Sequence, residues 1–456
     1  MTASLREIAH CFEGGIPSGI ATCSSAGVVN VTYLSQVHLI DDQHIGLSYQ
    51  FFNKTRANLA ENPNASLLVI DPFSGIQYRL AIRFQRTDTE GPHFDKLKVK
   101  LAAVASMSGM SDVFHLRGVD VFQVLSWECM ELDATAQVPR STVSFAELNE
   151  VTQAISDCDQ LAHLLDTTLS AIATHLGYTH SMILFFNNDG ESLYTIASHG
   201  YQQQGAGAEV ALGEGIVGTV AEQGRPVKIS NMRRENIMAD AVRQQARNEN
   251  ADYVFRQRIA LPGLSNPNSQ LAVPIEAKNR KLGVLFLESE KYSGFSHDMQ
   301  ELICSVANHL GTAILLCDDE PREQTKAKMY SHIASTESQK EAIAVSGLMK
   351  VRYYQADKSI FIDNDYLIKG VAGSILFRLL TLYLDSGRSE FTNRELRLDE
   401  QLGLPEIADN LEARLVLLQR RLDDRCPGIT MQKTGRGRFS LHVERKIDLL
   451  SVAQSN

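Results

Sequence analysis

The sequence predicts a multidomain α+β protein, and three observations carry that expectation. First, 456 residues are too many for one core, and at roughly 100 to 200 residues per domain they make about three. Second, two polar, structure-poor stretches divide the chain, one at 134–144 and one at 318–339 with Pro321 and many Lys, Glu, Gln and Ser residues. Third, the hydrophobic period changes along the chain, from short β-branched runs, to mixed helix and strand, to helices followed by a short basic hairpin. The expected organisation is a domain at 1–133, a linker at 134–146, a domain at 147–317, a linker at 318–345 and a domain at 346–450.

In the first domain, strand-like runs at 19–23, 28–35, 44–48, 65–70, 78–85 and 119–125 are closely spaced between turn signals, the pattern of a small β-barrel. The stretch QFFNKTRANLAENPNA at 50–65 places a strand end, a Lys/Thr-bearing turn and a short helix before an Asn-Pro. In this it resembles the split-barrel proteins of the pyridoxamine-phosphate-oxidase type, over roughly the first 130 residues. The resemblance implies FMN or another flavin as cofactor. Lys54 would neutralise its phosphate, Gln77, on a later strand, would face its ring, and Thr55 and Asn58 complete the expected cofactor-binding residues. A phosphate favours Lys or Arg together with backbone N–H groups at a helix start. Many family members carry an arginine on the strand represented here by 28–35, and this chain has none there.

The second domain has a helical run at 161–175, strands at 181–186, 193–197, 270–275 and 282–288, and a closing helix at 297–316. Helices at both ends of an antiparallel sheet make an α+β sandwich. The closing helix repeats apolar residues at spacings of 3 and 4, a face suited to its own sheet or to a twin in a dimer. Three pieces, LGEGIVGTVAEQGRPV at 212–227, LAVPI at 271–275 and LGVLFLE at 282–288, resemble a GAF domain. That resemblance implies a pocket for an effector of unspecified chemistry, covered by the polar segment 231–268 with Arg233, Arg234, Arg243, Arg247, Arg256 and Arg258. The glycines of 213–218 also fit GxGxxG. Gly224 and Pro226 break the following helix too soon for a crossover, which excludes a dinucleotide fold. His180, His199 and His309 are the nearby histidines, and none has metal-ligand spacing.

The third domain alternates over 351–363, then carries helical patterns at 373–384, 393–402 and 406–422, then two strand-like runs over 429–443 around Gly435-Arg436-Gly437. This is the order of a winged helix, so the full expected fold is a split β-barrel, a GAF α+β sandwich and a winged helix. The runs QRRLDDR at 419–425 and GRGRF at 435–439 resemble the OmpR-type output domain over about 95 residues. Leu411, Leu415, Leu418 and Leu422 share one helix stripe and should pack inward. Asn410, Ala413, Arg414 and Leu417 are then expected in a major groove. Arg420 and Arg421, with Lys433, Arg436 and Arg438 on the hairpin, are expected on phosphates. Glu406, Asp409 and Glu412 oppose a polyanion unless they cap the helix.

The net charge of −10 excludes a protein that coats nucleic acid over its whole surface. The basic footprint is local instead, with nine Lys and Arg residues between 414 and 446 against Asp423, Asp424 and Glu444. Seven scattered cysteines without a CxxC pair fit neither a disulfide framework nor a zinc site. No apolar run approaches a membrane span of about 18 to 20 residues, and no signal-peptide core is present, so the expected location is cytoplasmic. No GxSxG, HExxH, P-loop, kinase signature or Cys–His pair stands out. The expected function is a one-component transcriptional regulator, a homodimer that senses a small molecule or redox cofactor and binds double-stranded DNA. The competing expectation is an FMN-dependent oxidoreductase with regulatory appendages, and a third is a scaffold with a vestigial barrel.

Overall fold

The computed structural model describes residues 4–12, 16–34, 37–49, 53–72, 75–107, 116–130, 144–187, 190–202, 205–232, 262–291, 294–318, 348–402, 411–435 and 437–452. Expectations placed on 134–143, on 319–345, on 233–261 with its six arginines, and on Glu406, Asp409, Asn410 and Arg436 lie outside the described residues. The chain divides into two compact units, 1–157 with 166–312, and 158–165 with 313–456.

The first unit opens with a 3-10 helix, Leu5–Phe12, and a seven-stranded sheet. Its strands are β1 (Ser18–Cys23), β2 (Val29–Leu34), β3 (Val37–Leu39), β4 (His44–Tyr49), β5 (Asn64–Ile70), β6 (Gln77–Asp88) and β7 (Gly118–Cys129), ordered β2-β1-β5-β6-β7-β4-β3. Alternation along β1 sends Ile20 inward, where it meets Leu5, Ile8, Phe12, Ile45, Leu67, Leu80, Ile82 and Phe122 in one core. The register of β6 against β7 shifts at Ala81/Ile82 and again at Phe84/Arg86. Such bulges bend a long strand and curl its sheet toward a half-barrel. Helix α1 (Asn53–Glu61) joins β4 to β5, and α2 (Pro92–Met107) lies between β6 and β7.

The same unit continues with α3 (Phe145–Ser156) and the greater part of α4 (Leu161–Leu176), whose residues 161–165 count with the second unit, then a second antiparallel sheet. Ser144 and Glu147 form a capping box that starts α3. The sheet comprises β8 (His180–Phe186), β9 (Ser192–His199), β10 (Glu209–Ala211), β11 (Val227–Ile229), β12 (Ser269–Ala277) and β13 (Arg280–Ser289), ordered β10-β9-β8-β13-β12-β11. Lys278 and Asn279 both hold positive φ, 48° and 61°, so a two-residue turn closes the β12–β13 hairpin with the twist its strands need. Helix α5 (Gly215–Gln223) leads into β11, and α6 (His297–Asp318) follows β13.

The second unit has a four-stranded sheet, β16-β15-β14-β20, in which the edge strand β20 (Lys446–Val452) runs parallel to its neighbour β14 (Leu348–Tyr354). The alternation over 351–363 is two strands, not one: β14 turns at 355–358 into β15 (Ser359–Ile362), followed by β16 (Asp365–Ile368). Lys358, Asp363 and Asn364 have positive φ, which breaks the run at both turns. Helix α7 (Gly370–Ser386), β17 (Glu390–Thr392), α8 (Asn393–Leu398) and α9 (Leu411–Arg425) come next. β18 (Ile429–Gly435) and β19 (Arg438–Val443) then form a hairpin in a sheet ordered β17-β19-β18.

Candidate functional site

At the barrel, Lys54 stands exposed in the first turn of α1, and Gln77 is exposed at the start of β6. Thr55 and Asn58 are placed differently from the expectation. Both are buried. Asn30 Nδ2 on β2 donates to Thr55 Oγ1 at 3.0 Å, and Asn58 Nδ2 donates to Thr22 Oγ1 on β1 at 3.2 Å. These two residues tie α1 to the sheet through side chains of β2 and β1. Arg56 donates to Thr87 Oγ1 at 3.4 Å, and Thr87 donates to Asp120 at 2.6 Å. Burial holds the Asp120 carboxyl above its ordinary range, against the pull of Thr87 and Arg56.

Helix α2 joins the barrel to the second sheet. Leu97 and Leu101 pack with Val119 of the barrel. Val99 and Ala103 instead enter a core with Met182, Leu184, Val217, Val220, Ala272, Val284 and Phe286. Gly215 N donates to Ser106 Oγ at 2.7 Å, and Ser106 Oγ donates to Gly213 O. Arg225 pairs with Asp95 at 3.2 Å. The α5 face of the sheet therefore carries part of the barrel as its apolar cover.

In the second unit, α9 does not have one inward stripe and one free face. Ala413, Arg414, Leu417 and Arg421 are all buried, with Arg414 at 6% and Arg421 at 3% exposure. The reason lies in composition: Val416 and Leu417 add to the leucine stripe, and apolar residues around most of a helix bury most of it. α9 accordingly packs on α7, α8, β16 and β18. Arg421 Nε donates to Leu367 O at 2.9 Å, and burial lowers the pKa of its guanidinium. Arg420 is half-buried. Lys433 Nζ donates to Glu412 Oε1 at 2.6 Å, while Asn393 Nδ2 donates to Glu412 Oε2 at 2.8 Å. Glu412 is thus neutralised by the hairpin rather than turned toward solvent. Arg438 is exposed, as are Arg394 and Arg397 on α8. Asn393 N donates to Gly437 O at 2.9 Å, which brings the start of α8 beside the hairpin turn.

A family model described as Pyridoxamine 5'-phosphate oxidase matches residues 7–125, and one described as GAF domain matches residues 158–315. The N-terminal domain is oxidase-like, and the middle domain is a GAF domain. No curated protein matches the chain. Among solved structures, the GAF domain of an Acinetobacter phosphoenolpyruvate-protein phosphotransferase is 21% identical, covering 37% of this chain and 91% of that one at a TM-score of 0.29. An FMN-binding protein from Syntrophomonas wolfei subsp. wolfei is 22% identical, covering 28% and 89% at a TM-score of 0.24. A free methionine-R-sulfoxide reductase from Neisseria meningitidis, in complex with its substrate, is 15% identical, covering 39% and 94% at 0.29. The domain assignments rest on the two family models.

Within the GAF domain the glycine motif has a steric cause. Gly213 and Gly215 take φ of 72° and 60°, and a Cβ on Gly218 would sit 2.2 Å from Ala211 O. Helix α5 ends at Gly224, whose N–H caps Val220 O at 2.8 Å, so no crossover helix follows the motif. Buried Glu288 accepts from Tyr201 Oη and Leu264 N, both at 3.0 Å, and from Gln270 Nε2 at 2.8 Å. Burial and Glu288 together push the Tyr201 phenol up, so it remains a donor. His180 stacks edge-on to Tyr201, and His309 meets Ser156 Oγ at 3.0 Å. Among the described residues no group of three His, Cys, Asp or Glu side chains suits a metal ion, and no helix is long and apolar enough to cross a membrane. Sequence reasoning did not single out Arg394 and Arg397, which the structure leaves exposed on α8. Their signal was the Thr392-Asn-Arg-Glu395 capping box, which starts a helix with both arginines on one side.

Proposed function

We propose that the chain is a sensory regulator whose oxidase-like and GAF domains receive a small-molecule or redox signal and whose C-terminal unit docks double-stranded DNA. A sensory or regulatory role follows from the two assigned domains. The observation that carries the DNA assignment is the element order of the second unit: strand-rich lead-in, α7, β17, α8, α9 and the β18–β19 hairpin. That is the order of a winged helix, and Arg394, Arg397 and Arg438 are exposed on α8 and the hairpin. In this proposal they take over the phosphate contacts that buried Arg414 and Arg421 cannot make. Fluorescence anisotropy with duplex from the gene's own upstream region tests it. Affinity should fall steeply between about 50 and 200 mM salt. Arg394→Ala with Arg438→Ala should weaken it and reduce the salt slope by about 2. Absence of salt-sensitive binding overturns the assignment.

A flavin in the barrel is the second proposal, favoured by the oxidase-like match and by Lys54 at a helix start. The donor set fits in part: Lys54 and the first N–H groups of α1 suit a phosphate, whereas Thr55 and Asn58 are committed to β1 and β2. A bound flavin would supply one- or two-electron chemistry. Lys54→Ala should weaken FMN far more than riboflavin, which lacks the phosphate. A purified protein with flavin absorbance, turnover and no DNA affinity would favour the oxidoreductase instead. A homodimer is proposed as well, on the apolar row that edge strand β2 presents to solvent: Val29 at 67%, Val31 at 72% and Tyr33 at 77% exposure.

A further inference from the structure

We propose that α2 is a built-in coupling lever, through which the GAF domain reads the state of its own barrel at Ser106. Asp95, Val99, Ala103 and Ser106 recur along α2 at spacings of four, four and three, so they share one stripe. Phe94, Leu97 and Leu101 recur at three and four, and at about 3.6 residues per turn they fall on the opposite side of the helix. The first stripe belongs to the GAF domain from end to end. Arg225 Nη2 donates to Asp95 Oδ2 at 3.2 Å, Val99 and Ala103 enter the core with Val217, Val220 and Ala221, and Ser106 Oγ accepts from Gly215 N at 2.7 Å. The second stripe belongs to the barrel, where Leu97 and Leu101 are buried with Val119 of β7 and Phe94 packs against them.

Asp95 lies in the first turn of α2 and Ser106 near its end, whereas Gly215 starts α5 and Arg225 follows its end. The two helices therefore run antiparallel and are pinned together at both ends. Ser106 also supplies what the sequence around α5 leaves out. Glu214, the residue before α5, makes no side-chain cap, although the first N–H groups of a helix need acceptors. Gly215 N–H finds its acceptor in a barrel hydroxyl, which in turn donates to Gly213 O. One side chain from another domain thus spans the turn whose glycines hold φ of 72° and 60°.

Helix α2 is inserted between β6 and β7, so a displacement of those strands carries it along. A close-packed helix with opposite faces in two cores passes such a shift on rather than absorbing it. The receiving point is the first turn of α5, which loses its cap when Ser106 moves away. Past Gly224, Arg225 leads into β11, so the other end of α5 answers to α2 as well. The purpose of the lever rests on the sensory reading of the two domains, but neither flavin nor DNA enters its test, so its failure and theirs are distinct.

Hydrogen exchange of the full chain, read by mass spectrometry over 211–223 and over the barrel, tests this. Ser106→Ala should speed exchange at 215–218 by at least about threefold through loss of the cap, with β5 and β6 unchanged. Leu101→Ala, whose side chain packs on the barrel, should speed exchange at β7 and at 215–218 alike. Its effect on 215–218 should shrink by about half or more once Ser106 is already alanine. Leu59→Ala, in the barrel core away from α2, should leave 215–218 unchanged. If Leu101→Ala does not fold, Leu101→Val decides. A silent Ser106→Ala, a Leu101 variant without effect on 215–218, an equal effect there from Leu59→Ala, or full additivity of the Ser106 and Leu101 changes would each overturn the proposal.

Discussion

Truncating Val99 to alanine probes whether α2 truly joins the barrel to the GAF core. Val99 is 3% exposed and lies in the cluster with Met182, Leu184, Val217 and Phe286. The change removes two methyl groups, at about 0.8 kcal/mol each in transfer energy, and leaves a small cavity. The expected loss is about 2 to 3 kcal/mol. Lys98→Ala, one residue away but exposed, should stay within about 0.5 kcal/mol. Differential scanning calorimetry is the assay, because shared packing should make barrel and GAF domain unfold in one transition whose midpoint drops by a few degrees. Ala103, fully buried in the same cluster, supplies the stronger perturbation. A carboxylate there costs several kcal/mol unpaired, so Ala103→Asp should split the transition in two. A Val99→Ala loss below about 0.5 kcal/mol, with a single unshifted transition for Ala103→Asp, would refute the shared core.

Three further outcomes are expected. Lys433→Ala strips Glu412 of its cation and should cost about 1 kcal/mol; Glu412→Gln with Lys433→Ala should recover most of that loss in thermal melts, and equal or greater loss in the double variant would contradict the pairing. His38 has a folded pKa depressed from 6.5 to about 3, so below pH 6.5 the unfolded state takes up a proton that the folded state refuses. Stability should therefore fall as pH drops from 6.5 toward 3, by up to about 1.4 kcal/mol per pH unit from this group. His38→Asn should flatten that slope in urea melts, and an unchanged slope would count against it. Val31→Glu with Tyr33→Glu should convert a dimer into a monomer by light scattering, because both side chains are exposed in the single chain and would be covered in the dimer.

How far the sequence speaks depends on whether an element has one buried face or several. Each barrel strand anticipated from short β-branched runs between turn signals overlaps a strand in the structure, because β-branched residues suit the extended backbone of a sheet. The glycine motif at 213–218 was legible for the same kind of reason: positive φ and close backbone approach leave few other residues possible. Helix α2 left no such trace. Leu97 and Leu101 serve the barrel, Val99 and Ala103 serve the GAF core, and His93, Lys96 and Lys100 occupy a third stripe. Two apolar faces with two partners, and basic residues on a third, cancel the single stripe by which an amphipathic helix is recognised.

The same cause misplaced the expected groove-reading face of α9. Its leucines at 411, 415, 418 and 422 do face inward, but Val416 and Leu417 occupy the positions between, and the helix is enclosed together with Arg414 and Arg421. A buried arginine donating to a backbone carbonyl, as Arg421 does to Leu367, contributes to the fold of the unit rather than to its charge. The basic count between 414 and 446 therefore overstates the charge available to a polyanion. Glu412, held by Lys433 and Asn393, withdraws one acidic group and one basic group together. Exposed charge then shifts toward Arg394 and Arg397, which sequence counting placed outside the footprint. If DNA is bound, loss of affinity should track those two and Arg438, while Arg414→Ala should act through folding and lower the melting temperature first.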